Sequence, residues 1–123
     1  MIFYKPITEN TILTDMFPDK HLKENRTYGG YIALENDINK GCILFEIDGY
    51  YVELLAISSV EDNLLIEGLI RSALNFAGNR NAYVAKCKLI QNKDVLTLLG
   101  FKEENGTYTG EIPELLKGTC CKG

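Results

Sequence analysis

The chain has 123 residues, 46% apolar and 24% charged, with a formal net charge of −4. Its length fits one compact domain that buries a core without metal or disulfide staples, placed at residues 1–116 with a cysteine-containing tail at 117–123. The acidic balance excludes wholesale binding to nucleic acid or anionic membrane, no apolar run reaches the roughly 18 residues of a membrane helix, and the opening residues lack the apolar stretch of a secretory signal, so a soluble cytoplasmic protein is expected.

Residues 2–4 read as a first short strand. Thr8 is placed to cap a helix that carries Ile12, Leu13, Met16 and Phe17 on one side and stops at Pro18. Residues 19–26 read as a weak second helix or an irregular segment, and His21 there is an exposed residue without a second histidine. Three strands follow at about 28–34, 41–47 and 50–57. A polar loop, 35–40, joins the first two. Asp48-Gly49 joins the last two, and an Asp-Gly pair between apolar runs predicts a type I′ hairpin with positive φ at both residues.

The period then changes. Leu65, Ile66, Leu69, Ile70, Ala73, Leu74 and Ala77 recur at three- and four-residue spacing, which predicts an amphipathic helix over 62–77. Ser59 and Asp62 have the spacing of a capping box, and Gly78 suits the helix end. Residues 82–89 read as a strand, so strand, helix and strand form a parallel crossover. A short helix with Asn92 as cap ends at Gly100. A last hairpin turns at Asn105-Gly106. The fold class is α/β with a mixed (α+β) sheet: an antiparallel meander, one β-α-β crossover and a C-terminal hairpin.

Cys42 and Cys87 lie in apolar strand-like contexts, where a free cysteine acts as a small hydrophobe. With no C-x-x-C pair, no structural zinc site is expected. Cys120 and Cys121 are adjacent near the C-terminus, and nearby Lys117 and Lys122 would favour a reactive thiolate there.

The element order, with "YYVELLAISSVEDNLLIEGLIRSAL" and then "VLTLLGFKEENGTYTG", resembles the GCN5-related N-acetyltransferase (GNAT) superfamily as a divergent member, over about residues 28–112. The resemblance implies acetyl-CoA as cosubstrate. Its pyrophosphate would meet backbone N–H groups at the start of the long helix, where donors are unpaired and the helix dipole is positive. The family signature Arg/Gln-x-x-Gly-x-Gly/Ala falls with its Arg/Gln on Asn63, its first glycine on Ile66 and its last on Gly68. Only the last position matches. The donors would come from Leu64, Leu65, Ile66, Glu67 and Gly68. Ile66 puts a side chain where the glycine allows close approach, and Glu61, Asp62 and Glu67 add negative charge.

The resemblance also implies a widened gap after the strand at 50–57. The pantetheine arm would pair there with backbone at about Leu55, Ile57 and Ser58. The family's tyrosine acid falls on Leu96, which cannot donate a proton, and Tyr83 or Tyr108 would have to replace it. A glutamate on the strand before the crossover serves some members as general base, which makes Glu53 the first candidate and Glu46, on the neighbouring strand, the second. By alternation Glu53 shares a face with Tyr51, Leu55 and Ile57.

Two readings stand together. One is an acyltransferase that moves an acetyl group from acetyl-CoA to a small-molecule or peptide amine. The other is a catalytically degenerate module that keeps the fold for binding or interaction. The short N-terminal region leaves few residues for an acceptor pocket, which suits a small acceptor or a pocket shared in a homodimer.

Overall fold

The computed structural model describes residues 1–58 and 62–118, apart from the side chains of residues 90 and 118. Its strands are β1 (Phe3–Ile7), β2 (Thr27–Glu35), β3 (Ile38–Asp48), β4 (Tyr51–Ile57), β5 (Val84–Cys87), β6 (Lys102–Glu104) and β7 (Thr107–Glu111). They form one mixed sheet in the order β1-β2-β3-β4-β5-β7-β6. The helices are α1 (Asn10–Met16), α2 (Asn63–Gly78), α3 (Lys93–Leu99) and α4 (Ile112–Gly118). Among the described residues β4 and β5 make the parallel pair, joined through α2, and the other ladders are antiparallel. No described helix is long and apolar enough to cross a membrane.

The hairpin turns follow local chemistry, with two departures. Between β2 and β3 the polar stretch tightens to a two-residue turn, with φ of 53° at Asn36 and 65° at Asp37. Between β3 and β4, Asp48 pairs with Tyr51, so the central residues are Gly49 and Tyr50. Of these Gly49 has the positive φ, 58°. That is the pattern of a type II′ turn, one residue later than the expected I′ turn. Asn105 and Gly106, at φ 54° and 83°, make the I′ arrangement that their sequence predicts.

The long helix buries the predicted stripe, Leu65 to Ala77, against one face of the sheet. Facing it are Ile43, Phe45, Val52, Leu54 and Ala85. A smaller core of Leu13, Phe17, Tyr28, Cys42 and Leu44 lies on the opposite face, closed by α1. Thr8 does not cap α1, because the cap position is Glu9 and no side-chain cap bond forms. Ile12 is partly exposed rather than packed. Residues 19–26 contain turns and no helix.

Helix α4 is absent from the sequence reading. It carries the chain in regular structure through Gly118, beyond the point where a tail was expected. Leu115 anchors it, fully buried, with a side chain so close to Gly110 that a Cβ there would stand 2.7 Å from it. The Ser59 cap and the Cys120-Cys121 pair lie outside the described residues.

Cys42 and Cys87 are free and buried. Burial is the main cause that pushes the Cys87 thiol up to about 11 from 9.0. Because the thiolate is the reactive form, Cys87 in the folded protein at pH 8 should alkylate at least about 100-fold more slowly than an ordinary thiol. Peptide mass mapping after timed iodoacetamide treatment measures this. Rapid labelling of Cys87 without unfolding would contradict its burial.

Candidate functional site

The site begins with a fault in the sheet. From Asp48↔Tyr51 to Phe45↔Leu54, β3 and β4 pair one to one, and they do so again at Leu44↔Ala56 and Ile43↔Ile57. Leu55 is the extra residue. Such a bulge bends its strand and raises the local twist. On the other side β5 pairs with Tyr51 to Leu54 and ends at Cys87. Leu55, Ala56 and Ile57 therefore keep β3 as neighbour and, among the described residues, have no strand along their β5 side. The result is a short open backbone edge where the parallel strands part.

The bulge also resets the alternation. Leu55 and Ala56 both pack with the α1-side cluster, and Ile57 packs with the α2-side core. The expected shared face of Tyr51, Glu53, Leu55 and Ile57 thus fails at Ile57. Ser58 is tied to β3: its N–H donates to Cys42 O at 2.9 Å, and its Oγ accepts from Cys42 N at 2.9 Å. Leu55 and Ile57 lie on the open edge, whereas the Ser58 N–H is already used.

At the start of α2 the helix caps itself. Asp62 Oδ1 accepts from Leu64 N at 3.0 Å and from Leu65 N at 3.3 Å. The Ile66 N–H bonds to Asp62 O at 3.0 Å. Three of the donors expected for an anion therefore already have partners. Ile66 is 3% exposed and points into the core, so it does not obstruct the approach to the helix end as expected. Its place in the apolar stripe decides this. Leu64, 78% exposed, is the apolar group at that surface, beside exposed Asn63.

Gly68 has a packing reason. A Cβ there would stand 2.0 Å from the Tyr4 phenol oxygen and 2.4 Å from its ring carbon. The glycine lets a β1 tyrosine press against the helix. Burial, then Asp62 and then Glu67 push the Tyr4 phenol up, which marks this end of α2 as negative. Glu67 also faces Arg71 one turn on, at 4.0 Å.

On the sheet face opposite α2 lies a polar recess of about 170 Å3, lined by Arg26, Glu46, Asp48, Tyr51, Glu53 and Lys86. The ladders place Glu46 opposite Glu53, and Glu53 opposite Lys86. Arg26 neutralises two of the acids, bonding to Glu46 at 2.5 Å and lying 3.6 Å from Asp48. Among the described residues the Glu53 side chain has no ion pair or hydrogen bond. The Lys86 ammonium sits over the Tyr51 ring, 4.5 Å from its centroid. This row is one residue short of the last paired row, Leu54 and Cys87, where the strands part.

The acid candidates separate. Leu96 is fully buried in α3. Tyr83 is at the closed end of the parallel pair: its N–H donates to Tyr50 O at 2.8 Å, and its ring stacks on Tyr50 at 5.5 Å. Its hydroxyl donates to Glu111 at 3.3 Å. Tyr83 is thus far along the strands from the open edge. Tyr108 is buried on β7 opposite Cys87, where β5 ends.

Asn92 carries a signal the sequence did not expose. Expected as the α3 cap, it makes no side-chain cap bond. Its Oδ1 is buried without a partner among the described residues. It closes a single 3-10 turn, Ile90–Asn92, that follows soon after the end of β5. A buried acceptor without a donor costs free energy, so its lack of a partner calls for an explanation.

No protein-family model and no curated protein matches the sequence. Solved structures do match its fold. An IAA acetyltransferase from Bacillus cereus superposes with a TM-score of 0.68 at 14% identity, over 90% of this chain and 99% of that one. The ribosomal-protein-S18-alanine N-acetyltransferase from Escherichia coli gives 0.67 at 11% identity, over 91% and 94%. A GNAT family acetyltransferase from Elizabethkingia anophelis with acetyl-CoA bound gives 0.64 at 15% identity, over 89% and 97%.

Proposed function

We propose that this chain, whose fold is that of the GCN5-related N-acetyltransferases, transfers an acetyl group from acetyl-CoA to a small amine. The observation that carries the proposal is the parting of the strands at Leu55, where β4 bulges against β3 and β5 has already ended, so that the β4 edge is open from the second residue beyond Glu53. Open backbone groups require partners. An amide-rich arm such as pantetheine supplies donors and acceptors in alternation, and Leu55 to Ile57 would hold it as a missing strand would. The orphan Asn92 Oδ1 would accept from one of its amides. That half of the site fits the cosubstrate. The pyrophosphate half fits less well, because Asp62 occupies the α2 donors and adds charge of the wrong sign.

When bound, acetyl-CoA supplies an acyl group on a thiol leaving group; the acceptor nitrogen takes the acyl carbon and its ammonium gives up two protons in all, one of them to the departing sulfur or to water. Glu53 receives the other, directly or through a water, as general base. Glu46 is held by Arg26 and serves as its neighbour rather than as the base. No acid stands at Leu96. An ordinary thiol titrates near 8.5, so it can leave as thiolate without one. Tyr108 is the phenol placed closest along the ladder to the end of β5.

The test is calorimetric titration of the full chain with acetyl-CoA, alongside Asp62→Asn. Asparagine keeps the cap and removes the charge. One unit charge in water beside a phosphate predicts affinity raised about three- to five-fold in the variant, with the gain shrinking as salt rises. Absence of binding to either protein at millimolar ligand would sink the transferase. The Asp62 cap favours a second reading, a non-catalytic module on this fold, and that outcome would select it.

A further inference from the structure

We infer that the recess on the α1-side face is the acceptor pocket and that it selects a small zwitterionic amine, an amino-carboxylate, over a simple cation. The inference rests on the transferase reading for the word acceptor; the binding chemistry stands on the recess itself.

Three observations carry it. First, Glu53 and Lys86 are direct cross-strand neighbours of opposite charge that do not pair with each other. Lys86 is over Tyr51, and among the described residues Glu53 has no cation paired with it. Opposite charges on adjacent strands ordinarily attract, and two carboxylates facing each other, as Glu46 and Glu53 do, repel. Arg26 settles Glu46 and Asp48. Among the described residues the recess is left with one uncommitted carboxylate beside one ammonium that no carboxylate holds. Second, those two groups are in a concavity rather than on a flat face, with the Tyr51 ring as a wall. Third, the size is small. About 170 Å3 is room for five or six waters at a share of about 30 Å3 each, below the volume of drug-sized pockets. A molecule that brings an ammonium to Glu53 and a carboxylate to Lys86 satisfies both by charge-assisted hydrogen bonds. A plain amine satisfies Glu53 and leaves Lys86 facing its positive charge.

The experiment titrates the full chain calorimetrically, without acetyl-CoA, with glycine, β-alanine and 4-aminobutyrate. Glycinamide serves as the cation-only probe and N-acetylglycine as the anion-only probe. At least one amino-carboxylate should bind ten-fold or more tightly than either control. Lys86→Met keeps the stem over Tyr51 and removes the charge; it should reduce that preference to less than two-fold while binding glycinamide at least as tightly as the parent does. Glu53→Gln should weaken amino-carboxylate and glycinamide alike. Equal binding of glycine and glycinamide, an equal loss of both in Lys86→Met, or no binding of any amino-carboxylate at 50 mM would overturn the inference. Because acetyl-CoA is left out, a protein that binds an amino-carboxylate and not acetyl-CoA would refute the transferase and keep the pocket.

Discussion

Glu53→Gln is expected to lower kcat/KM for acetyl transfer by about 10²- to 10⁴-fold, the usual contribution of a positioned general base. The amide keeps the size of the side chain and cannot take a proton. Among the described residues Glu53 has no ion pair whose loss would disturb β4, so the variant should fold with unchanged thermal midpoint. Its affinity for acetyl-CoA should remain within two-fold, since the open edge begins beyond Leu54. The acceptor KM should rise as well, because the same carboxylate holds the ammonium. Steady-state kinetics with both substrates varied measures each term. Retention of more than half the parent kcat would remove Glu53 as the base and leave proton removal to water.

The largest effect on stability is expected at Phe45. It is fully buried, one row from the bulge, and its ring meets Phe76 at 5.4 Å and Tyr31 at 6.5 Å between centroids. A Cβ added at Gly29 would stand 2.8 Å from the same ring. The β2 glycine therefore exists to admit Phe45, and the pair of choices makes one packing unit. Phe45→Ala leaves a cavity and should cost about 3–5 kcal/mol in urea unfolding. Against a total of about 5–15 kcal/mol for an ordinary domain, that is a large share. Phe45→Leu should cost markedly less, because less volume is lost. A cost below about 1 kcal/mol for the alanine variant would show that β3 and α2 do not enclose the ring.

Phe45 also links stability to the site. It is the last residue of β3 paired before the extra residue of β4. Loosening it should release the register that keeps Leu55 out of line. A destabilised variant is then expected to lose acetyl-CoA affinity without any change at the ligand-facing residues.

Much of the fold was legible in the sequence because it rests on local rules. The helix stripe from Leu65 to Ala77 states its own period and its buried face, and the structure buries those residues. Asn105-Gly106 states its turn through backbone freedom, and Gly100 states the end of α3, at φ 112°. The mixed sheet with one crossover follows from the order of such elements. Even where a turn moved, as at Gly49, the shift was one residue. Glu53 and Glu46 are base candidates through the family resemblance, and nothing local in the sequence says that they share a recess with Arg26, 20 positions before Glu46, and with Lys86.

The rest was decided by partners distant in the chain. A bulge is a mismatch between two strands, and neither strand alone carries it; "ELLAI" reads as regular until β3 fixes which residue has no opposite. The break at Cys87 is likewise a property of β4 and β5 together. Gly68 matched a ligand motif in sequence, yet the reason for it is Tyr4, a residue 64 positions earlier that presses on the helix. Ile66, by contrast, belongs to the stripe that turns its side chain into the core, so its place beside the motif glycine is no obstacle at the helix end. Asp62 became the cap, and so the competitor of any phosphate, through the geometry of the turn into α2. The sequence by itself determined which elements form and which faces they bury, because periodicity and backbone preference act within a few residues. The tertiary structure alone decided where the sheet opens and which charges remain unpaired beside the opening, because register and charge pairing depend on contacts between strands far apart in the chain.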